Sequence, residues 1–144
     1  MDKKILITGS NGFICKELKS YLLNKNYKVN TTNRIDKSYF FFDLEDQSNF
    51  EINLPKFDIL IHLAYFRDPS YQVEKKYNLN GAKKIFSIAK KYNAKIIYFS
   101  SQSADKNSFS NYGKTKYEIE KIAEEFNAHT IRPGLIYNLK SIHN

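Results

Sequence analysis

Three side chains in this sequence have the types and spacing to move a proton. Tyr112 and Lys116 stand four residues apart in Tyr112-Gly113-Lys114-Thr115-Lys116. The segment has a helical pattern, so both fall on one helix face. A lysine ammonium beside a phenol favours the phenolate. Such a tyrosine can exchange a proton with a substrate hydroxyl or carbonyl near neutral pH. Ser101 ends the apolar run Lys95-Ile96-Ile97-Tyr98-Phe99-Ser100-Ser101 and can hydrogen-bond the same oxygen. A Tyr-x-x-x-Lys pair on a helix is usually surface decoration. This one gains weight from following a serine-terminated strand, downstream of a glycine-spaced turn.

That turn is Thr8-Gly9-Ser10-Asn11-Gly12-Phe13-Ile14-Cys15, directly after Ile5-Leu6-Ile7. A strand, a tight turn and a helix N-terminus in succession suit a pyrophosphate, because the helix end offers unpaired N–H groups and a positive dipole. Gly9 can take the conformation the turn needs, and Gly12 keeps a Cβ out of the ligand's way. The third position of the glycine spacing holds Cys15. Cysteine is small and readily buried, so a slightly displaced helix is expected and not a lost site.

The elements that must position these residues alternate along the chain. Apolar runs at residues 4–8, 27–32, 39–42, 58–64, 95–99 and 129–132 read as strands. Helical spacing marks residues 12–24, 71–92 and 110–126, with a polar helical segment from about Glu45. Continuously apolar strands alternating with helices predict an α/β fold, a doubly wound parallel sheet of about six strands with helices on both faces. Ligands in such sheets lie at the carboxyl ends of the strands.

The 144 residues suit one domain, with a net charge of +8 and 42% apolar residues. The lysines are scattered, as in Lys83-Lys84 and Lys90-Lys91, and read as solvated faces, so no nucleic-acid partner is expected. No apolar run approaches the ~20 residues of a membrane span. Residues 1–4 run straight into the first strand, so no signal peptide is expected. Cys15 is the sole cysteine, and a cytoplasmic setting fits. His129 and His143 lack partners at metal-ligand spacing, so no metal is expected. His62 reads as a packing residue at a strand end.

With these motifs in family order, the chain resembles the extended short-chain dehydrogenases/reductases of the NAD(P)-dependent epimerase/dehydratase group. The resemblance rests on Thr8–Ile14, Phe42-Asp43-Leu44, His62-Leu63-Ala64, Asn78-Leu79-Asn80-Gly81, Phe99-Ser100-Ser101, Tyr112–Lys116 and Arg132-Pro133-Gly134. It implies a Rossmann-type cofactor domain. Gly9, Ser10, Asn11, Gly12, Phe13 and Ile14 would hold the pyrophosphate. Asp43 and Leu44 would border the adenine, with Leu63 and Ala64 on the adenosine ribose side. Tyr112 would be the general acid/base, Lys116 would bind the nicotinamide ribose and tune Tyr112, and Ser101 would orient the substrate, a nucleotide-sugar. Asn78 matches the family's helix asparagine, with a purely structural role as the alternative. After the second strand the run Thr31-Thr32-Asn33-Arg34 has no carboxylate before Asp36. Arg34 could meet a 2′-phosphate, which favours NADP over NAD.

The family's chains normally continue well past Arg-Pro-Gly into a substrate-binding part, whereas ten residues follow Gly134 here. Two functions remain open at this level. One is the cofactor-binding, catalytic half of a hydride-transferring enzyme, completed by a longer chain or a partner. The other is a non-catalytic dinucleotide-binding or interaction module. Exposed apolar surface at the sheet edge would favour association, with a homodimer as one outcome.

Overall fold

The computed structural model describes residues 2–36, 40–46 and 54–137. Five strands form one wholly parallel sheet: β1 (Lys4–Thr8), β2 (Lys28–Thr31), β3 (Ile59–His62), β4 (Lys95–Phe99) and β5 (His129–Ile131). Their spatial order is β2-β1-β3-β4-β5. From β1 the chain crosses to one side for β2 and to the other for β3. The carboxyl ends of β1 and β3 therefore flank the switch point where a ligand crevice opens.

Alternate residues of each strand serve opposite cores. Leu6, Leu60, Ile96 and Tyr98 face α2 (Tyr71–Lys91) and α3 (Asn111–Glu125), packing with Ala82, Ile85, Phe86, Ile119 and Ala123. Ile5, Ile7 and Ile61 face α1 (Phe13–Asn24), with Leu18 and Leu22 packed against them. Cys15 sits in this second core at 1% exposure, and burial raises its thiol pKa. Both faces of the inner strands are thus apolar, which is why they read as unbroken hydrophobic runs.

The three helices end alike. Asn26, Asn93 and Asn127 follow the last helical turns with φ of 63°, 54° and 54°. The next amide in each case reaches back, from Tyr27 to the Leu22 carbonyl, Ala94 to Ala89 and Ala128 to Ala123. This is a Schellman closure with asparagine in the left-handed position.

The expected six strands are five among the described residues. Over its described residues, 40–42, the run at 39–42 is not a strand. Its described part makes only an isolated bridge, Asn33 to Phe41, and Phe40 adopts φ 47°. Phe40 and Phe42 are buried in the α2-side core, so the run is apolar because it packs and not because it pairs. Most of the helical segment expected from Glu45 lies outside the described residues; Leu44 and Glu45 themselves form a bend. His143 also lies outside them.

Candidate active site

The site grows from the end of β1. The Thr8 hydroxyl accepts the amides of Leu63 and Ala64, each at 3.1 Å, and lies 2.8 Å from His62 Nδ1. With both acceptor positions used, its single hydrogen is left for Nδ1. That bond needs an unprotonated ring, and burial holds the His62 pKa down at about 3. His62 is 1% exposed and stacks on Tyr98 at 5.9 Å, so it is a packing residue that ties β3 to β1.

Gly9 makes the turn that follows. Its φ is +87°, and an added Cβ would stand 3.0 Å from the Ala64 nitrogen. Both the conformation and the close approach require glycine. Gly12 differs: as the N-cap of α1 it has φ −73°, and an added Cβ would make ordinary contact with the Gly9 carbonyl at 3.4 Å. No side chain caps α1. The first-turn amides of Phe13, Ile14 and Cys15 have no acceptor within the helix, which leaves donors at this helix end for an anion.

A cavity of about 500 Å3 runs from this turn past Thr32 and Arg34 to Asp43, Leu44, Leu63 and Ala64; Ser10 and Asn11 also line it. Arg34 is exposed in a turn whose amides at Ile35 and Asp36 donate to Asn33 Oδ1. Asp43 accepts from the Glu45 amide at 3.1 Å. Leu44 is 6% exposed, and its side chain fills the space that a Cβ on Gly81 would need.

A second cavity of about 460 Å3 shares Gly9, Gly12, Leu63, Tyr65 and Tyr112 with the first. It brings Phe13 and Ile14 to Ser101, Tyr112 and Lys116. The structure therefore places every candidate site residue around two adjoining cavities. Ser110 caps α3 by accepting the Gly113 amide at 2.9 Å, which fixes the start of the helix and so places Tyr112 in its first turn. An added Cβ on Gly113 would strike the Ser103 carbonyl at 2.4 Å, so glycine lets the 101–110 loop lie on α3. Ser101 Oγ is 2.9 Å from Ser103 Oγ and accepts the Ser103 amide.

Lys116 is 4% exposed and donates to the Phe99 carbonyl at 2.7 Å. Its ammonium lies 4.9, 5.1 and 5.6 Å from the ring centres of Tyr98, Tyr65 and Tyr112. Burial and then the Arg67 charge push its pKa down to about 7, with Glu120 opposing. The phenol hydroxyl of Tyr98 is buried without a hydrogen-bond partner among the described residues.

Sequence reasoning did not single out Tyr65, Arg67 or Glu74. The Tyr65 ring meets Tyr112 edge-on at 4.8 Å, and the Arg67 guanidinium stacks on Tyr112 at 4.6 Å. The Tyr65 hydroxyl donates to Glu74, which also accepts the Asp68 amide at 3.1 Å. Asn78, 1% exposed, accepts the Phe66 amide at 2.9 Å and donates to the Phe66 and Glu74 carbonyls, both at 2.7 Å. Two of these bonds hold the 63–68 loop on α2 and the third stays within the helix, an arrangement that matches the structural alternative. A buried Glu and Asn one helical turn apart on α2 were the available signal.

The sequence pattern of the NAD dependent epimerase/dehydratase family matches residues 5–139. The chain belongs to this family. Among curated proteins it is 25% identical to the bifunctional UDP-glucose 4-epimerase and UDP-xylose 4-epimerase 3 of Arabidopsis thaliana, over 89% of this chain and 48% of that one. It is 26% identical to the UDP-glucose 4-epimerase of Pisum sativum, over 85% of this chain and 47% of that one. The chain thus spans about half the length of the curated relatives it matches. Its fold matches the dTDP-4-dehydrorhamnose reductase of Bacillus anthracis, a complex with NADP, at TM-score 0.73 and 21% identity, over 95% of this chain and 55% of that one. Together these give a Rossmann-like parallel sheet of the extended short-chain dehydrogenase/reductase kind. Among the described residues no helix is long and apolar enough to cross a membrane, and no cluster of His, Cys, Asp or Glu could hold a metal.

Proposed function

We propose that this chain is the dinucleotide-binding, catalytic half of an epimerase/dehydratase-type oxidoreductase acting on a nucleotide-sugar. The observation that carries the reading is the buried Lys116, set beside Tyr112 in the cavity that also holds Ser101 and the Gly9 turn. The residues fit a nicotinamide dinucleotide: Gly9 leaves no room for a Cβ, the first turn of α1 is uncapped, and two cavities meet at the turn. Gly9, Ser10, Asn11, Gly12, Phe13 and Ile14 would hold its pyrophosphate, Asp43, Leu44, Leu63 and Ala64 its adenosine end, and Tyr112 and Lys116 its nicotinamide ribose. When bound, the nicotinamide supplies the hydride acceptor and donor.

The protein's own part is the proton and the orientation. Tyr112 takes or returns the proton of the reacting hydroxyl, which general acid–base catalysis makes worth about 10²–10⁴-fold. Lys116, donating to the Phe99 carbonyl and flanked by three rings, holds next to that phenol an amine that is charged below about pH 7. Ser101 hydrogen-bonds the reacting oxygen. Arg34, exposed at the end of β2 beside the cavity, favours NADP by meeting a 2′-phosphate.

The test is titration with NADPH and NADH by nicotinamide fluorescence, followed by a nucleotide-sugar panel with wild type and Tyr112→Phe. The expected outcome is binding of both cofactors, NADPH more tightly, with turnover lost in Tyr112→Phe and binding kept. Equal affinities would remove the Arg34 assignment. Cofactor-loaded wild type without turnover would leave the chain a binding module.

A further inference from the structure

Resting on that reading of the site, we infer that Arg67 recognises a carboxylate that the substrate carries within a few atoms of the hydroxyl served by Tyr112. The guanidinium lies 4.6 Å from the Tyr112 ring centre and 5.8 Å from that of Tyr65. It lines the first cavity and a smaller recess that Asp68, Glu74, Ser110 and Asn111 also line. Tyr112 stands in both, so an anion held by Arg67 is next to the reacting centre.

Three features make this an anion site and not an ordinary surface arginine. First, no hydrogen bond or ion pair engages the Arg67 guanidinium among the described residues, although two carboxylates are close. Asp68 caps the Ser70 amide at 2.8 Å, and Glu74 is taken up by the Tyr65 hydroxyl and the Asp68 amide. Second, the guanidinium sits over the Tyr112 ring on an exposed residue, and a guanidinium placed over an aromatic ring still has N–H donors for bidentate contact with an oxyanion. Third, the loop is fixed before any ligand arrives. Asn78 grips Phe66 by amide and carbonyl, and Glu74 grips both flanking residues. Such preorganisation reduces the ordering cost of binding. The Arg67 charge also helps to lower the Lys116 pKa, with Glu120 opposing. An oxyanion beside Arg67 offsets that repulsion.

The test uses the full chain loaded with NADPH and a matched pair of probes, UDP-glucuronic acid and UDP-glucose, which differ by carboxylate against hydroxymethyl. Wild type should bind UDP-glucuronic acid about ten- to hundredfold more tightly, the size of one charge-assisted contact. The preference should shrink as salt is raised, collapse in Arg67→Gln and survive in part in Arg67→Lys. Affinity for UDP-glucose and NADPH should not change in either variant. No preference in wild type overturns the inference, and so does an equal loss for both probes in Arg67→Gln. Weaker NADPH binding in Arg67→Gln overturns it too, by placing Arg67 on the cofactor. If Arg67→Gln fails to fold, a wild-type preference that resists salt overturns it. Failure of the wild type to bind either dinucleotide sinks the cofactor reading itself, and is distinguishable from all of these.

Discussion

His62 shows how a buried residue with no part in the proposed chemistry can govern the site. Its ring accepts the Thr8 hydroxyl hydrogen, and Thr8 in turn holds the Leu63 and Ala64 amides against the Gly9 turn. Charging the ring removes that acceptor in a fully buried setting. The native pKa is about 3, below the ordinary 6.5, so in the window between them the unfolded chain binds a proton that the folded chain refuses. Stability therefore rises with pH across this window and falls on acidification. From pH 7 to pH 5 the loss attributable to His62 is about 2 kcal/mol. Urea unfolding of wild type and His62→Gln at both pH values checks this. The variant, though less stable at pH 7, should lose less on acidification; parallel losses would show that other groups dominate.

At the scale of elements, the helix ends offer a cleaner test than the strands. Asn93 is exposed with φ 54°, and the bonds that close α2 run through backbone alone: Asn93 amide to the Lys90 carbonyl at 3.0 Å and Ala94 amide to Ala89 at 2.8 Å. Asn93→Ala keeps those bonds but pays the left-handed strain, so it should cost about 1 kcal/mol. Asn93→Gly should match or slightly exceed wild type. Equal effects of Ala and Gly in urea melts would mean that the asparagine side chain, not the conformation, holds the end. Elements of this kind were readable from sequence because each carried a local signal. Strands β1, β3 and β4 are buried on both faces, and Gly9 stands where the backbone demands it. The run at 39–42 carried the same apolar signal as a strand, yet Phe40 and Phe42 are buried by packing towards α2. Hydrophobicity alone cannot separate the two. Tyr65 and Arg67 were silent for a different reason. Their meaning comes from a tyrosine on another helix, and only the folded loop brings them to it.

For the whole molecule the decisive feature is asymmetry between the two faces of the sheet. The α2–α3 face is covered across β3, β4 and β5, whereas α1 lies against β1 and β2. On the α1 side, Ile131 pairs in register with Phe99 and so continues the same apolar surface to the edge strand. Ile131, Ile136 and Tyr137 are 42%, 42% and 62% exposed, and every residue of β5 is exposed. Phe13, Tyr21, Phe99, Ile136 and Tyr137 line a shallow groove there. Contiguous apolar surface next to an edge strand that, among the described residues, is not paired on its outer side favours association. The chain in isolation should therefore bind a dye such as ANS in its native state and sediment as larger species with rising concentration. Replacing Tyr21 and Tyr137, which line the groove but not the cofactor cavity, with serine removes apolar area, so dye binding and self-association should fall while dinucleotide affinity is kept. A wild-type chain that stays monomeric and dark with ANS would mean that this face is self-sufficient. Loss of dinucleotide affinity in the double variant would mean that the groove and the cofactor cavity act as one surface, which their shared residues Phe13, Ile14, Phe99 and Ile136 make the physically closest rival.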